Sequence, residues 1–302
     1  MSELLPACSR PIFIIGVGRS GSSIFHQVFS QHHQVAWLSR LSERFPTRPV
    51  LNRLLMHAID HPGLTGWATR YADPAEAYRW WDNRFAGFSQ PCRDLRESDL
   101  TLLARQRLHQ SFAQVVTSRR QRLLVKVTGW PRIGFLRALY PDALFIHVMR
   151  DGRPVASSFL NVDWWRGWRG PGNWLWGELS PDQSQEWERH DRSFVALAGI
   201  QWKLLMDALE LAKGPLSAEN YLDIRYETLC ADPVASFRRA VEFAGLSWTP
   251  GFEAAVRATP LRSENDKWRR DFTTDQQATL ETVLHDYLIR YRYPVTNAEA
   301  AG

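Results

Sequence analysis

The chain has 302 residues, of which 44% are hydrophobic and 23% are charged, and its formal net charge is +5. A chain of this length buries enough apolar surface to form a substantial core. The basic residues are dispersed rather than gathered into a tail, which argues against a nucleic-acid partner. Three widely spaced cysteines, Cys8, Cys92 and Cys230, are too few for a disulfide framework and predict no zinc site.

Targeting signals are not evident in the sequence. The N-terminal residues lack the charged, apolar and cleavage regions of a secretory signal. No apolar stretch approaches the roughly 20 residues of a membrane-spanning helix. We therefore expect a cytoplasmic protein without a transmembrane anchor.

The first element in chain order is an apolar strand that leads into a loop rich in glycine and serine. Residues 12–23 read IFIIGVGRSGSS. The unbroken apolar start is typical of a strand buried on both faces of a parallel sheet. Gly16, Gly18 and Gly21 allow a tight turn, and Ser22 and Ser23 can begin a helix. Free amides at a helix N-terminus bind anions, so the loop predicts a phosphate site, although a glycine turn without a ligand is the alternative.

The loop departs from a nucleotide-triphosphate loop at one position. Gly16 and Gly21 match the frame GxxxxGK[ST], but Ser22 stands where that frame requires lysine. The cation of the loop is Arg19. ATP or GTP chemistry is therefore disfavoured, and a P-loop kinase is kept only as a minor alternative.

Further apolar runs alternate with helical patterns along the chain. Predicted strands cover 123–128, 144–149 and 221–226, and predicted helices lie near 22–31, 100–119, 131–139, 187–212, 233–244 and 275–291. This alternation predicts an α/β fold with a doubly wound parallel sheet flanked by helices.

We predict one domain over 1–302, in which residues 11–31 form the loop unit. Ligands bind at the carboxyl ends of the strands in such sheets. The segments 34–99 and 162–185 are interrupted by proline, glycine or both, and are predicted to cover that cleft.

A second motif follows the strand near 144–149. Arg150 stands at the end of this strand, and Ser158 lies eight residues later in the next helix. A guanidinium and a hydroxyl placed there can hold a second phosphate. A structural salt bridge of Arg150 is the alternative.

Together the two motifs resemble those of the sulfotransferase family, including bacterial members, whose donor is 3′-phosphoadenosine 5′-phosphosulfate (PAPS). RSGSS resembles the loop for the 5′-phosphosulfate, and Arg150 with Ser158 matches the 3′-phosphate motif. LVKVTG (124–129) is similar to the strand that carries a donor-contacting lysine, here Lys126. IRYETLCADP (224–233) and DKWRRDF (266–272) resemble two later segments of the family.

The resemblance implies a P-loop-like fold and PAPS-dependent sulfuryl transfer by in-line displacement without a metal. Arg19 and Lys126 would stabilise the leaving group. The donor contacts that it implies are Gly18, Arg19, Ser20, Gly21, Ser22, Ser23, Arg150, Ser158, Tyr226, Lys267, Trp268, Arg269 and Arg270.

The general base of the family is not in its usual place. Thr128 stands where cytosolic members have histidine, and Arg40 stands where tyrosyl-protein members have glutamate. Glu43 is the nearest carboxylate and is our candidate base, with an ion pair to Arg40 or Arg44 as the structural alternative. His57, His61 and His190 are further candidates. Without a base, the chain would be a non-catalytic protein that binds nucleotide or glycan.

Tryptophans are concentrated in one loop, and six of them fall between residues 164 and 187. Trp164, Trp165 and Trp168 are our candidates for binding a hydroxyl-bearing acceptor: a glycan, a glycolipid or a hydrophobic alcohol. Alternatively, these indoles hold the loop against the domain or rest on a membrane surface, at the inner face of the membrane for a cytoplasmic protein. The oligomeric state is left open.

Overall fold

The computed structural model describes residues 8–89 and 92–295 and contains one five-stranded parallel sheet in this part of the chain. The strands are β1 (Ile12–Gly16), β2 (Val35–Trp37), β3 (Arg122–Thr128), β4 (Leu144–Met149) and β5 (Tyr221–Arg225). Their order in the sheet is β2-β3-β1-β4-β5. The predicted α/β fold class is confirmed.

Helices surround the sheet. They are α1 (Ser22–Phe29), α2 (Arg40–Arg44), α3 (Val50–Asp60), α4 (Thr65–Ala68), α5 (Tyr78–Asp82), α6 (Leu102–Ala113), α7 (Ile133–Leu139), α8 (Gly152–Leu160), α9 (Pro181–Arg189), α10 (Phe194–Lys213), α11 (Tyr226–Ala231), α12 (Pro233–Phe243), α13 (Pro250–Ala258), α14 (Lys267–Asp271) and α15 (Thr274–Arg290). Three one-turn 3-10 helices lie at Thr69–Tyr71, Glu97–Asp99 and Gly167–Arg169.

The position of β1 explains where a ligand site can form. Every residue of β1 and β4 is buried, which accounts for the apolar sequence of β1 and for that of β4 apart from His147. β1 is the central strand, and Ile14 pairs with Lys126 of β3 on one side and Ile146 of β4 on the other. The loop after β1 therefore lies between the carboxyl ends of its two neighbours.

The sequence prediction missed one strand and joined two helices into one. The edge strand β2 has three residues, too few to show a periodic pattern. The helix predicted over 187–212 is instead the pair α9 and α10. Asp191 and Arg192 adopt φ values of 51° and 53° between them, and the Ser193 side chain then accepts a hydrogen bond from the Ala196 amide to begin α10.

The segment 34–99 packs into the core through aromatic side chains, and its residues 90–91 lie outside the described part. The Trp81 ring stacks on Phe88 with centroids 4.0 Å apart. The Trp80 ring contacts Phe112, and the Arg84 guanidinium lies over the Trp80 ring, 4.0 Å from its centroid. The segment is therefore anchored along its length, while the extent of the domain over 1–302 stays a prediction.

The surface of this segment carries exposed apolar side chains, among them Leu54, Trp67 and Tyr71. Within residues 8–89 and 92–295, no helix combines the length and apolar character needed to cross a membrane. Contact of the protein with a membrane surface stays a prediction.

Candidate active site

A cavity of about 420 Å³ opens at the carboxyl ends of β1 and β3. Its walls come from the glycine loop (residues 16–23), the segment 34–99, the turn after β3, the end of α8 and the segment 162–185, which we call the tryptophan loop. The lining residues are Gly18, Arg19, Ser22, Ser23, Glu76, Tyr78, Ser89, Thr128, Gly129, Trp130, Arg132, Phe159, Trp164, Leu175 and Trp176.

The glycine loop presents backbone amides to this cavity. α1 begins at Ser22, and no side chain of the described residues caps it, so its first amide groups are available to an anion. Gly21 has φ +91° and lies so close to the Tyr226 ring that a Cβ atom there would collide with it. Tyr226 is held in place because its hydroxyl donates to the Arg262 carbonyl at 3.0 Å. Ser20 Oγ is buried without a hydrogen-bond partner among the described residues.

The two arginines of the predicted donor site meet beside the loop. Arg19 Nε donates to Ser158 Oγ at 2.8 Å, and Arg150 Nη1 donates to the Arg19 carbonyl at 3.3 Å. The Arg150 guanidinium lies over the Tyr226 ring, and its Nε donates to Asn265 Oδ1 at 2.8 Å. The residues Arg19, Arg150, Ser158 and Tyr226 are thus brought together from three parts of the chain, and Asn265 is a contact that the sequence did not reveal.

The late segment 266–272 divides into a buried and an exposed part. Trp268 is buried, with the guanidinium groups of Arg153 and Arg269 over its ring at 5.3 and 4.6 Å. This packing makes Trp268 an anchor of α14, and its donor contact stays a prediction. Lys267, Arg269 and Arg270 are exposed and remain predictions as donor contacts.

Lys126 connects the glycine loop to a carboxylate. Its Nζ donates to Ser23 Oγ at 2.6 Å and lies 2.8 Å from Glu76 Oε1. The Lys126 side chain is 10% exposed and that of Glu76 is 19% exposed, so the pair is largely withdrawn from water. Burial and the neighbouring Lys126 lower the pKa of His26 well below its usual range, which leaves that buried imidazole neutral beside the lysine.

Glu76 is a carboxylate of the cavity lining that the sequence prediction missed. Thr128 Oγ1 donates to both carboxylate oxygens of Glu76, at 3.0 and 3.1 Å. Glu43, the predicted base, does not line the cavity, and its Oε2 accepts a hydrogen bond from the Arg79 amide at the start of α5. The geometry therefore places Glu43 in a local structural contact and Glu76 at the cavity.

Tyr78 and Arg132 complete the polar wall near Glu76. The Tyr78 hydroxyl donates to the Thr128 carbonyl at 3.2 Å, and burial raises its pKa above its usual range, so it remains protonated. Arg132 is 2% exposed, and its terminal nitrogens donate to the carbonyls of Thr128, Trp130 and Phe88. Arg132 thereby joins the turn after β3 to the segment 34–99.

The tryptophan loop contributes to the cavity through residues different from most of those predicted. Trp164 lines it, as predicted for an acceptor contact. Trp165 is 3% exposed, its Nε1 donates to Gln201 Oε1 at 2.7 Å, and it does not line this cavity, so the structure favours the alternative in which it holds the loop against the domain. Trp168 lies outside the cavity lining, is 54% exposed and stacks with Arg169.

Two further indoles line the cavity and were not predicted, Trp130 after β3 and Trp176 from the loop. Their ring centroids are 6.1 Å apart. Gly129 has φ +85°, and a Cβ atom there would lie 2.8 Å from Trp176. The absence of a side chain at Gly129 therefore allows the indole to reach the cavity.

Comparison with known proteins identifies the family. The model of the Sulfotransferase family matches residues 11–250. Sulfotransferase STF9 from Mycobacterium avium is 16% identical with a TM-score of 0.56, over 95% of this chain and 78% of that chain. The sulfotransferase domain from the curacin biosynthetic pathway is 13% identical with a TM-score of 0.54, over 96% and 100% of the two chains.

A curated relative gives a weaker match. Carbohydrate sulfotransferase 1 from Danio rerio is 22% identical over 280 residues, which cover 80% of this chain. The chain spans 63% of the length of that relative. At these identities the solved structures show the fold, whereas the family match covers most of the chain. The chain belongs to the Sulfotransferase family of enzymes.

Proposed function

We propose that the protein transfers a sulfuryl group from PAPS to a hydroxyl acceptor. One observation carries the proposal: Lys126 lies within hydrogen-bond distance of both Ser23 of the glycine loop and Glu76 of the cavity. In this proposal Lys126 lies between the donor site at the glycine loop and the acceptor site at Glu76. A protein that only binds a nucleotide has no need of a cation that contacts both sites.

The donor side of the mechanism rests on positioning and charge. The amides at the start of α1, together with Arg19, Ser22 and Ser23, are placed to hold the 5′-phosphosulfate. Arg150 and Ser158 are our proposed contacts to the 3′-phosphate. Sulfuryl transfer resembles phosphoryl transfer, in which electrostatic stabilisation of the leaving group dominates. Arg19 and Lys126 serve that purpose.

Glu76 is our proposed general base. It takes the proton of the acceptor hydroxyl while the acceptor oxygen forms a bond to sulfur. The bond between sulfur and the bridging phosphate oxygen breaks, and its electron pair remains on 3′-phosphoadenosine 5′-phosphate (PAP). Thr128 orients the carboxylate through its hydroxyl, at the position where cytosolic members of the family carry histidine. In this proposal the base comes from the segment 34–99, and it contacts β3 through Thr128.

The test is incubation of the purified protein with sulfur-labelled PAPS and with labelled ATP, in the presence of EDTA and a panel of alcohols and glycosides. We expect labelled sulfate ester from PAPS and no transfer from ATP. Donor binding without any ester would instead support a non-catalytic binding protein. The Lys126→Met variant is expected to lose transfer by about 100-fold, since it removes charge stabilisation at the leaving group.

A further inference from the structure

The cavity contains an acceptor subsite whose composition differs from that of the donor loop. We define the acceptor chamber as the part of the cavity lining that lies outside the glycine loop. Its apolar wall consists of Trp130, Phe159, Trp164, Leu175 and Trp176. These side chains come from three separate parts of the chain and face one cavity.

The polar side chains of the chamber are already bonded to the protein. The Thr128 hydroxyl donates to Glu76, the Tyr78 hydroxyl donates to the Thr128 carbonyl, and the Ser89 hydroxyl donates to Asp82. The terminal nitrogens of Arg132 donate to three carbonyls, and its Nε is buried from solvent. Glu76 also has partners, Thr128 and Lys126, but a carboxylate has more acceptor sites than these two occupy, so we assign contact with the acceptor hydroxyl to Glu76.

This arrangement discriminates between the acceptor classes. A sugar presents several hydroxyls, and each one that loses water without gaining a protein partner costs about 1–3 kcal/mol. An acceptor with one hydroxyl on an apolar body loses no such bonds and gains contact with the indoles. We infer that the acceptor is an apolar or aromatic alcohol whose single hydroxyl reaches Glu76. The inference rests on the proposed function and selects one of its acceptor classes. This class differs from the one in the name of the carbohydrate sulfotransferase to which the chain is weakly similar.

Two six-membered rings with a primary hydroxyl test the inference directly: cyclohexylmethanol and methyl β-galactoside. Binding of each to the PAP-loaded protein is measured by calorimetry. We expect cyclohexylmethanol to bind more tightly by about 100-fold, since several hydroxyls of the galactoside would be buried without partners. Equal or tighter binding of the galactoside would overturn the inference, as would failure of cyclohexylmethanol to bind at millimolar concentration.

Matched variants in the tryptophan loop locate the subsite. Trp164→Ala and Trp176→Ala are each expected to weaken cyclohexylmethanol binding by about tenfold through lost apolar contact, and PAP affinity is expected to be unchanged in Trp176→Ala. Trp168→Ala is the control, because this exposed indole of the same loop lies outside the cavity lining. Equal effects of all three variants would contradict the assignment.

The binding measurement separates this inference from the proposed function. If cyclohexylmethanol binds as expected but labelled PAPS gives no sulfate ester, the chamber is assigned correctly and the proposed reaction fails. If ester forms on the galactoside in preference to cyclohexylmethanol, the reaction stands and the inferred acceptor class fails.

Discussion

The two segments 34–99 and 162–185 both line the cavity but differ in what they contribute. The first supplies Glu76, Tyr78 and Ser89 to the cavity, and it is anchored by buried aromatic residues such as Trp80 and Trp81. The second supplies indoles to the cavity wall and is anchored by two buried tryptophans, of which Trp165 is more deeply buried than Trp174. We propose that the first segment serves the chemical step and the second serves acceptor binding.

The largest expected effect is on the free energy of unfolding, and it tests whether the second segment depends on the buried Trp165. Trp165→Ala removes a buried indole and leaves Gln201 Oε1 without its donor. We expect the free energy of unfolding in urea to fall by about 3 kcal/mol.

Trp168→Ala is the matched control for stability and is expected to change the free energy of unfolding by less than about 0.5 kcal/mol, since this side chain is exposed. Similar losses in both variants would show that the loop has no single anchor.

A smaller effect tests the contact between β3 and the first segment. Thr128→Val retains the shape of the side chain and removes the hydrogen bond to Glu76. We expect kcat to fall by about tenfold with unchanged KM for the acceptor, because the carboxylate loses its orientation. Thr128→Ser restores the hydroxyl and should recover kcat. A change confined to KM in Thr128→Val would place Thr128 in acceptor binding instead.

The smallest effect tests the contact between Gly129, in the turn after β3, and Trp176 of the second segment. Gly129→Ala strains a residue at φ +85° and forces Trp176 to move. We expect the KM for cyclohexylmethanol to rise by about fivefold, with unchanged kcat and PAP affinity. Gly172→Ala serves as the control, since a Cβ atom there meets no other atom within 4 Å. A loss of kcat in Gly129→Ala would contradict the proposal that the second segment serves only acceptor binding.

The sequence predicted the framework well because the strands have strong local signals. The apolar run ending at Gly16 and the arginine at position 150 mark the carboxyl ends of neighbouring strands, and parallel pairing brings such ends together. Arg19, Lys126 and Ser158 could be placed for the same reason, together with the resemblance to the family. The short strand β2 carried too few residues to be recognised.

The acceptor side was predicted less well because no local pattern marks it. Glu76 reaches Lys126 and Thr128 through a contact across 50 or more positions in the sequence, and nothing around it resembles a motif. Glu43 was nearer in sequence to the glycine loop, but its carboxylate binds the start of α5. The density of tryptophans indicated the correct loop, although the burial of Trp165 and the exposure of Trp168 depend on packing that the sequence does not display.

The central claim is that Glu76 activates the acceptor, and single-turnover transfer from sulfur-labelled PAPS in EDTA tests it most directly. The wild-type protein, Glu76→Gln and Glu43→Gln are compared. The affinity of each for PAP is measured in a separate binding experiment. We expect Glu76→Gln to bind PAP normally and to transfer sulfate about 100-fold more slowly, while Glu43→Gln behaves as the wild type. Wild-type transfer by Glu76→Gln, or an equal loss in Glu43→Gln, would contradict the account.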